Sequence, residues 1–266
     1  MRVCMSIAGS DSSAGAGIQA DLKTFAAHGV YGLTAVTAVT VQNTSGVEAV
    51  QEMEPDIVSG QIHCLFEDMP VHAVKIGMVS STSIIEAIAG ELRSRDMPPV
   101  VLDPVMVSKS GYELLQKEAQ SALRVSLLPL ADLLTPNLYE AELLLGEAIG
   151  NVEDMEEAAR SLLRMGPRAV VVKGGHLEKL SGTDVYCDAN GPRRLPGEYI
   201  ATSNTHGTGC TFSSAIAANL ALGSDTLRAT SLGKEYISAA LADSRPLGRG
   251  KGPLNHFPET WTRPGD

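Results

Sequence analysis

Short apolar runs rich in valine and isoleucine alternate along the chain with longer segments of helical period. The clearest helical segment is Gly17 to His28, in which Ile18, Leu22 and Phe25 recur at i, i+4 and i+7. The predicted strands are apolar at nearly every position rather than at alternate positions. Strands of that kind are buried on both faces, so the pattern predicts a largely parallel sheet covered by helices on each side.

The pattern also sets approximate bounds for each element. Strands are predicted at Val3–Ala8, Leu33–Val41, Ala73–Gly77, Val100–Asp103, Asp132–Thr135, Ala169–Lys173, Val185–Tyr186 and Tyr199–Ala201, the last two as antiparallel or edge strands. Helices are predicted at Gly17–His28, Asp56–Phe66, Ser83–Arg95, Glu118–Leu128, Tyr139–Leu145, Glu153–Met165, Gly207–Leu222 and Leu227–Leu241. No linker or internal repeat interrupts this alternation, which predicts one α/β domain over residues 1–266 with residues 257–266 as a tail.

Composition and charge narrow the class of protein. The 266 residues are 44% hydrophobic and 20% charged, and the net charge is −10. The chain has no dense run of lysine and arginine, which argues against binding to nucleic acid. It also has no apolar run long enough to span a membrane. Cysteines stand at positions 4, 64, 187 and 210 without metal-site spacing, which is typical of reduced thiols in a cytoplasmic protein.

Polar residues and glycines follow most of the predicted strands. They are Gly9-Ser10-Asp11, Gln42-Asn43, Gly77-Met78, Asp103-Pro104-Val105-Met106, Pro136-Asn137, Lys173-Gly174-Gly175-His176 and Thr205-His206-Gly207. The carboxyl ends of parallel strands meet at one edge of a sheet, and open α/β sheets bind ligands there. The sequence therefore predicts a ligand site at this edge.

The segment from Asn204 to Ser214 contains Gly207 and Gly209, and runs through Cys210 into an apolar helical segment. The free amides of a helix's first turn and the helix dipole attract anions, and the same field favours a cysteine thiolate with a pKa near neutrality. The alternative is a loop before a core helix, with Cys210 as a small buried hydrophobe. Two common nucleotide-binding motifs are absent from the chain. No GxxxxGK[ST] motif is present, and Phe212 stands where a GxGxxG motif needs its third glycine.

Taken together, these segments resemble the ribokinase superfamily, and more narrowly the hydroxymethylpyrimidine/phosphomethylpyrimidine kinases of thiamine biosynthesis. The resemblance rests on residues 9–21, 40–44, 75–78, 103–106, 135–140, 172–176, 206–210 and 252–257, and its motifs follow in the family's order from Met1 to Phe257. It implies a ribokinase-like three-layer α/β/α sandwich with a mostly parallel central sheet. It also implies ATP as phosphoryl donor, Mg²⁺, a small pyrimidine substrate and a homodimer.

The resemblance assigns the phosphoryl-transfer residues. Cys210 would be the base, at a position where the wider superfamily usually has aspartate, and the segment Gly207, Thr208, Gly209 would hold the transferred phosphoryl group with its amides. Lys173 and Asn137, together with Thr208, would contact the nucleotide phosphates. Lys109, in a flap over residues 107–111, is a candidate for a substrate phosphate or a solvated loop lysine.

Metal ligands are expected from two acidic residues. Glu140, with Asn137 behind it, resembles the superfamily's NxxE element for the hydrated Mg²⁺, and Asp103 would position Mg²⁺ or the hydroxymethyl group. Asn137 also suits a helix N-cap, and both roles are compatible.

The substrate pocket is expected around Gln42. Its carboxamide offers a donor beside an acceptor, which matches an amine next to a ring nitrogen, although a turn residue is the alternative. Asp21 would contact the substrate amine or hydroxyl, or else pair with a nearby lysine such as Lys23. Backbone and apolar contacts would come from Gly9, Met78 and Val105.

Two other functions stay open at this point. One is a pyridoxal kinase on the same fold, although Gln42 favours an aminopyrimidine. The other is a non-catalytic, nucleotide- or pyrimidine-binding regulatory protein, which would have no need for Cys210 as a base. Two details depart from the resemblance: Ser13-Ala14 replaces a more usual pair of glycines, and Tyr139 replaces a small residue or proline. His176 and His206 are interpreted as loop histidines near the nucleotide.

Overall fold

The computed structural model describes residues 1–108, 111–175 and 182–262, and its strands form a single nine-stranded sheet. The strands are β1 (Val3–Asp11), β2 (Tyr31–Asn43), β3 (Gly46–Glu52), β4 (Ala73–Ile76), β5 (Val100–Leu102), β6 (Leu133–Leu134), β7 (Val170–Val172), β8 (Asp184–Asp188) and β9 (Gly191–Leu195). Their order across the sheet is β3-β2-β1-β4-β5-β6-β7-β8-β9. Neighbours from β2 to β7 are parallel, whereas β3, β8 and β9 pair antiparallel at the two edges.

Helices pack on both faces of the sheet. They are α1 (Gly17–Ala27), α2 (Pro55–Asp68), α3 (Thr82–Arg93), α4 (Ala119–Ala122), α5 (Leu138–Leu145), α6 (Val152–Leu163), α7 (Thr208–Ala221) and α8 (Thr226–Ala242). Among the described residues, no helix is long and apolar enough to cross a lipid bilayer.

Each face of the sheet carries its own core. On β1 the side chains of Met5 and Ile7 join the core under α2, α3, α5 and α6, while Cys4 joins the core under α7 and α8. This division follows from the alternation of side chains along a strand. Near-continuous apolar strands thus supply both cores, and the predicted three-layer α/β/α class with a mostly parallel sheet is confirmed.

Four elements were missed or wrongly predicted, each near an edge of the sheet or a break in a helix. β3 and β9 were not predicted, and residues 199–201 form no strand. Edge strands are half-exposed and carry little hydrophobic pattern, although Asn190-Gly191 at the β8–β9 turn is a hairpin signal that the sequence does contain. The helix predicted at Glu118–Leu128 is divided into α4, a π-helical segment Leu123–Leu127 and a 3₁₀ turn Leu128–Leu130.

The predicted tail is partly packed. The ring of Trp261 lies 5.0 Å from that of Tyr236 in an edge-on arrangement and 5.2 Å from that of His28. Phe257, by contrast, is exposed. The tail prediction therefore fails at Trp261, because this aromatic side chain closes a small cluster between α1 and α8.

Candidate active site

The loop between β1 and α1 is organised by Asp11. Its carboxylate accepts hydrogen bonds from the amides of Ser13 (2.8 Å), Gly15 (3.1 Å) and Ala16 (2.8 Å), and from the Ser13 hydroxyl (2.8 Å). Burial raises the pKa of Asp11, but the hydrogen bonds from His206, Ser13 and the loop amides outweigh it and lower the pKa to about 2. Asp11 is therefore ionised at neutral pH and fixes the loop that lies beside the N-terminus of α1.

Ala14 lies in this loop with φ of 61° and is the one described non-glycine residue with a positive φ. A Cβ is strained in this region of backbone conformation, whereas glycine adopts it freely. The alanine at this position therefore carries a conformational strain that glycine would not carry.

Replacing Ala14 by glycine is expected to raise the free energy of unfolding by up to about 1 kcal/mol, because it relieves that strain. Urea unfolding followed by circular dichroism measures the change. Ala16 has an ordinary φ of −131° and is the matched control. Ala16→Gly should leave stability unchanged or lower it, so equal effects of the two substitutions would refute the strain at Ala14.

His206 lies against this loop and immediately before the N-terminus of α7, and its position near the nucleotide stays a prediction. Its Nε2 atom is 2.8 Å from Asp11 Oδ2 and 3.1 Å from Gln42 Nε2. A Cβ on Gly15 would overlap the His206 ring, so the loop and the imidazole are in close contact. His206 therefore connects the β1–α1 loop to Gln42 at the end of β2.

This contact determines how Gln42 is oriented. Because Asp11 is an ionised acceptor, His206 Nε2 must carry a proton and donate it. The single Nε2 proton is donated to Asp11, so the Gln42 amino group 3.1 Å away faces an N–H and has no acceptor there. A half rotation of the carboxamide removes this conflict by placing its oxygen on that side. The amide edge of Gln42 then keeps one acceptor and one donor side by side for a ligand.

The N-terminus of α7 adjoins the same loop. Its N-cap, Gly207, has φ of 81°, and a Cβ there would overlap the carbonyl oxygen of Gly15. The Thr208 hydroxyl donates to the carbonyl of Thr205 (2.7 Å). In the part of the chain that the structure describes, the amides of Gly209 and Cys210 have no hydrogen-bond acceptor. Two free amides at a helix N-terminus are the features that the predicted anion-binding turn requires, and its binding of an anion stays a prediction.

Cys210 lies between the first turns of two helices, with its thiol accepting a hydrogen bond from the Gly17 amide at the start of α1. Desolvation by the surrounding protein raises the pKa of Cys210 to about 11, although Lys75 and the Gly17 amide act to lower it. The prediction of a pKa near neutrality was therefore wrong. The field of a helix end is outweighed here by burial and by the carboxylates of Asp21 and Asp103.

Asp103 and Lys173 form an ion pair beside this turn. Lys173 Nζ is 2.9 Å from Asp103 Oδ1, and Thr135 (3.1 Å) and Ser213 (3.4 Å) also donate to the carboxylate. A Cβ on Gly209 would lie 3.4 Å from both Asp103 Oδ2 and Lys173 Nζ, so the pair contacts the anion-binding turn directly. Burial acts to lower the pKa of Lys173, but Asp103 and then Glu140 raise it overall, so its ammonium stays charged.

Asn137 and Glu140 begin α5 as a capping box. Asn137 Oδ1 accepts from the Glu140 amide (2.9 Å), and Glu140 Oε2 accepts from the Asn137 amide (2.8 Å). The N-cap role of Asn137 is confirmed. No group of three or more His, Cys, Asp or Glu side chains within the described ranges is arranged to hold a metal by itself.

Asp21 does not face an open pocket. Both it and Lys75 are fully buried, and its carboxylate is 2.9 Å from Lys75 Nζ, with Ser6 (2.5 Å) and Ser214 (2.7 Å) also donating to it. Direct contact with a substrate is therefore excluded in this structure. The suggested pairing with Lys23 is also wrong, since Lys23 donates to the carbonyl of Ala14.

The remaining predicted pocket residues lie along the same edge. A Cβ on Gly9 would lie 2.9 Å from the sulfur of Met78, so these two residues are neighbours. Val105 follows β5 in a tight turn and is part-exposed. A cleft opens beside Gln42 and His206. Lys109 lies outside the described residues.

Comparison with known proteins gives concordant matches. The family model described as phosphomethylpyrimidine kinase matches residues 11–255. The hydroxymethylpyrimidine/phosphomethylpyrimidine kinase of Rhizobium meliloti is 51% identical over 97% of this chain and 98% of that protein. A thiamine biosynthesis bifunctional protein of Geobacter sulfurreducens is 48% identical over 95% of this chain and 52% of its own length.

A solved structure shares the fold. The Bacillus subtilis pyridoxal kinase, in an ADP complex, superposes with a TM-score of 0.89 at 40% identity and covers 97% of this chain and 98% of its own. The predicted ribokinase-like fold is thereby confirmed.

Proposed function

The chain belongs to the phosphomethylpyrimidine kinase family, and on that premise we propose that it phosphorylates 4-amino-5-hydroxymethyl-2-methylpyrimidine with ATP. The monophosphate formed is then phosphorylated again to the diphosphate used in thiamine biosynthesis. The observation that carries this proposal is the position of Cys210 in the first turn of α7, a turn that contacts the Asp103–Lys173 pair through Gly209. The kinases among the relatives favour an enzyme over a non-catalytic binding protein.

Recognition of the aminopyrimidine is assigned to Gln42. The free edge of its carboxamide presents an acceptor to the exocyclic amine and a donor to the adjacent ring nitrogen. His206, held by Asp11, keeps the carboxamide in that orientation. Gly9, Met78 and Val105 supply the apolar and backbone contacts to the ring.

Replacing Gln42 by methionine is expected to raise KM for the aminopyrimidine by about 10–100-fold with a smaller change in kcat, because a bidentate pair contributes about 1–3 kcal/mol. Steady-state kinetics with each substrate measure it. The KM for pyridoxal should rise less, because pyridoxal has a ring hydroxyl in place of the amine. The exposed Gln51 on β3 provides the control, Gln51→Met. An unchanged KM in the Gln42 variant would contradict this role.

The chemical step needs a proton acceptor beside an anion site. Cys210 as thiolate takes the hydroxyl proton, the alkoxide oxygen forms a bond to the γ-phosphorus, and the bond to the β-phosphate oxygen breaks to release ADP. Backbone amides at Gly207–Cys210 would stabilise charge on the transferred group. Lys173, with Asn137 and Thr208, is assigned to the nucleotide phosphates.

Mg²⁺ would be held by Asp103 and Glu140 together with phosphate oxygens of the nucleotide. Two hard carboxylates near Lys173 suit an ion that takes few protein ligands and keeps several waters. When bound, Mg²⁺ supplies charge neutralisation at the β- and γ-phosphates. Lys109 keeps its proposed contact with a substrate phosphate.

Three further points stay predictions. We infer from the sequence alone that the protein is a homodimer, that it is cytoplasmic and that residues 1–266 form a single domain. Pyridoxal phosphorylation is the second candidate activity, because the Bacillus subtilis pyridoxal kinase is 40% identical to this chain.

The two-step proposal is tested by supplying the monophosphate as the only acceptor. Phosphorus NMR should show conversion to the diphosphate at the expense of ATP. A protein that phosphorylates the alcohol and leaves the monophosphate unchanged would refute the second step.

A further inference from the structure

Lys75 has no role in the reaction described above, yet it is the charged residue in an otherwise apolar central strand. β4 reads Ala73-Val74-Lys75-Ile76 and is buried throughout. The ammonium is fully enclosed and lies 3.0 and 2.9 Å from the two carboxylate oxygens of Asp21. A charge in such a place is costly unless it is paired, so a structural or functional reason must retain it.

Two contacts one turn apart join α1 to α7 next to this ion pair. Gly17 at the start of α1 donates its amide to the Cys210 thiol. Four residues further along both helices, Asp21 accepts a hydrogen bond from Ser214 at 2.7 Å. The faces that carry Cys210 and Asp21 are therefore packed together, and Asp21 lies one helical turn below the thiol.

The ammonium of Lys75 is directed towards the carboxyl edge of the sheet, where Cys210 lies. A Cβ on Gly77, the residue after β4, would lie 2.5 Å from Lys75 Nζ and 3.1 Å from Ala8 Cβ. The side chain thus extends past the end of its own strand into space that Gly77 leaves open. It reaches the region between β4, α1 and α7 that also contains the thiol.

We propose that the buried Lys75–Asp21 pair is a positioning element that sets the proton affinity of Cys210, with Lys75 favouring the thiolate and Asp21 limiting that effect. The inference rests on the proposed function, in which Cys210 accepts the hydroxyl proton. The charged groups close enough to act on the thiol electrostatically are Lys75 from β4, Asp21 from α1, Asp103 after β5 and Lys173 after β7.

The electrostatics of the cluster agree with the geometry. Burial acts to lower the pKa of Lys75, but Asp21, and then Cys210 and Asp103, raise it above its ordinary value. Lys75 in turn acts to lower the pKa of Cys210, while Asp21 acts to raise it. The two members of the pair therefore shift the pKa of the Cys210 thiol in opposite directions. A merely structural role of the pair would not produce this difference in sign.

The test is the pH dependence of alkylation of Cys210 by iodoacetamide in the resting protein, followed by peptide mass spectrometry. Lys75→Met should raise the pKa of the thiol and slow alkylation at pH 8 by about tenfold, while Asp21→Asn should lower the pKa and speed alkylation by about tenfold. Cys64 is exposed and serves as an internal control in each sample. Lys234→Met, which breaks the Lys234–Asp184 pair, is the matched control and should leave Cys210 unchanged.

Circular dichroism establishes that each variant is folded. If Lys75→Met does not fold, Asp21→Asn and the double variant still decide the question, with the double variant expected between the two single ones. An Asp21→Asn protein whose Cys210 pKa is unchanged or raised would overturn the proposal. The readout needs neither ATP nor turnover, so its failure is distinguishable from failure of the proposed kinase activity.

Discussion

Replacing Cys210 by alanine is expected to lower kcat by about 10²–10⁴-fold, the usual contribution of a positioned base, while the affinity for nucleotide is unchanged. The alanine keeps the turn of α7, because the amides of Gly209 and Cys210 belong to the backbone. Steady-state kinetics with the aminopyrimidine alcohol and calorimetric titration with a non-hydrolysable ATP analogue measure the two quantities separately.

Cys64→Ala is the control for this substitution, because Cys64 is an exposed thiol on α2. It should leave both kcat and nucleotide affinity unchanged. Near-normal turnover in the Cys210→Ala protein would remove Cys210 from the reaction and leave phosphoryl transfer to positioning by the anion-binding turn alone.

The catalytic efficiency, kcat/KM, is also expected to depend strongly on pH. With a thiol pKa raised to about 11, the ionised fraction of Cys210 grows as the pH rises towards that value. For a base that must be ionised, kcat/KM should therefore rise by about tenfold per unit between about pH 7 and 10, since kcat/KM reports the free enzyme.

Cys210→Asp is the matched variant for the pH profile. An aspartate has an ordinary pKa near 4, so it is ionised across the same range and its residual kcat/KM should be flat. A flat profile in the wild-type protein would show that ionisation of Cys210 does not limit the reaction. A rising profile that persists in the Cys210→Asp protein would assign the titration to another group.

Much of the fold could be predicted because parallel strands buried on both faces leave a strong apolar signal. β4, β5 and β7 are each apolar apart from Lys75 and were found within a residue or two. β3 and β9 carry exposed polar residues and were missed, since pairing at a sheet edge requires little hydrophobic pattern.

The composition of the site could be predicted better than its internal contacts. The sequence predicted that Asp103, Lys173 and Cys210 lie at one edge of the sheet, because each follows a strand or begins a helix. It did not reveal that His206 faces Gln42, a contact between positions 164 residues apart. A lysine within an apolar strand was the signal that could have identified Lys75, because such a charge needs a buried partner.

The pKa of Cys210 could not be predicted from its place at a helix end. That position predicts a lowered value, but the outcome depends on desolvation and on carboxylates from α1 and the β5 loop, which only the tertiary structure brings close.

The assigned substrate and reaction are tested together by incubating the purified protein with ATP, Mg²⁺ and the aminopyrimidine alcohol, with pyridoxal in a parallel reaction, and resolving the products by mass. We expect monophosphate and then diphosphate from the pyrimidine, with little product from pyridoxal. Product formed mainly from pyridoxal would contradict the assigned substrate, and no product in either reaction would contradict the assignment as a kinase of this class.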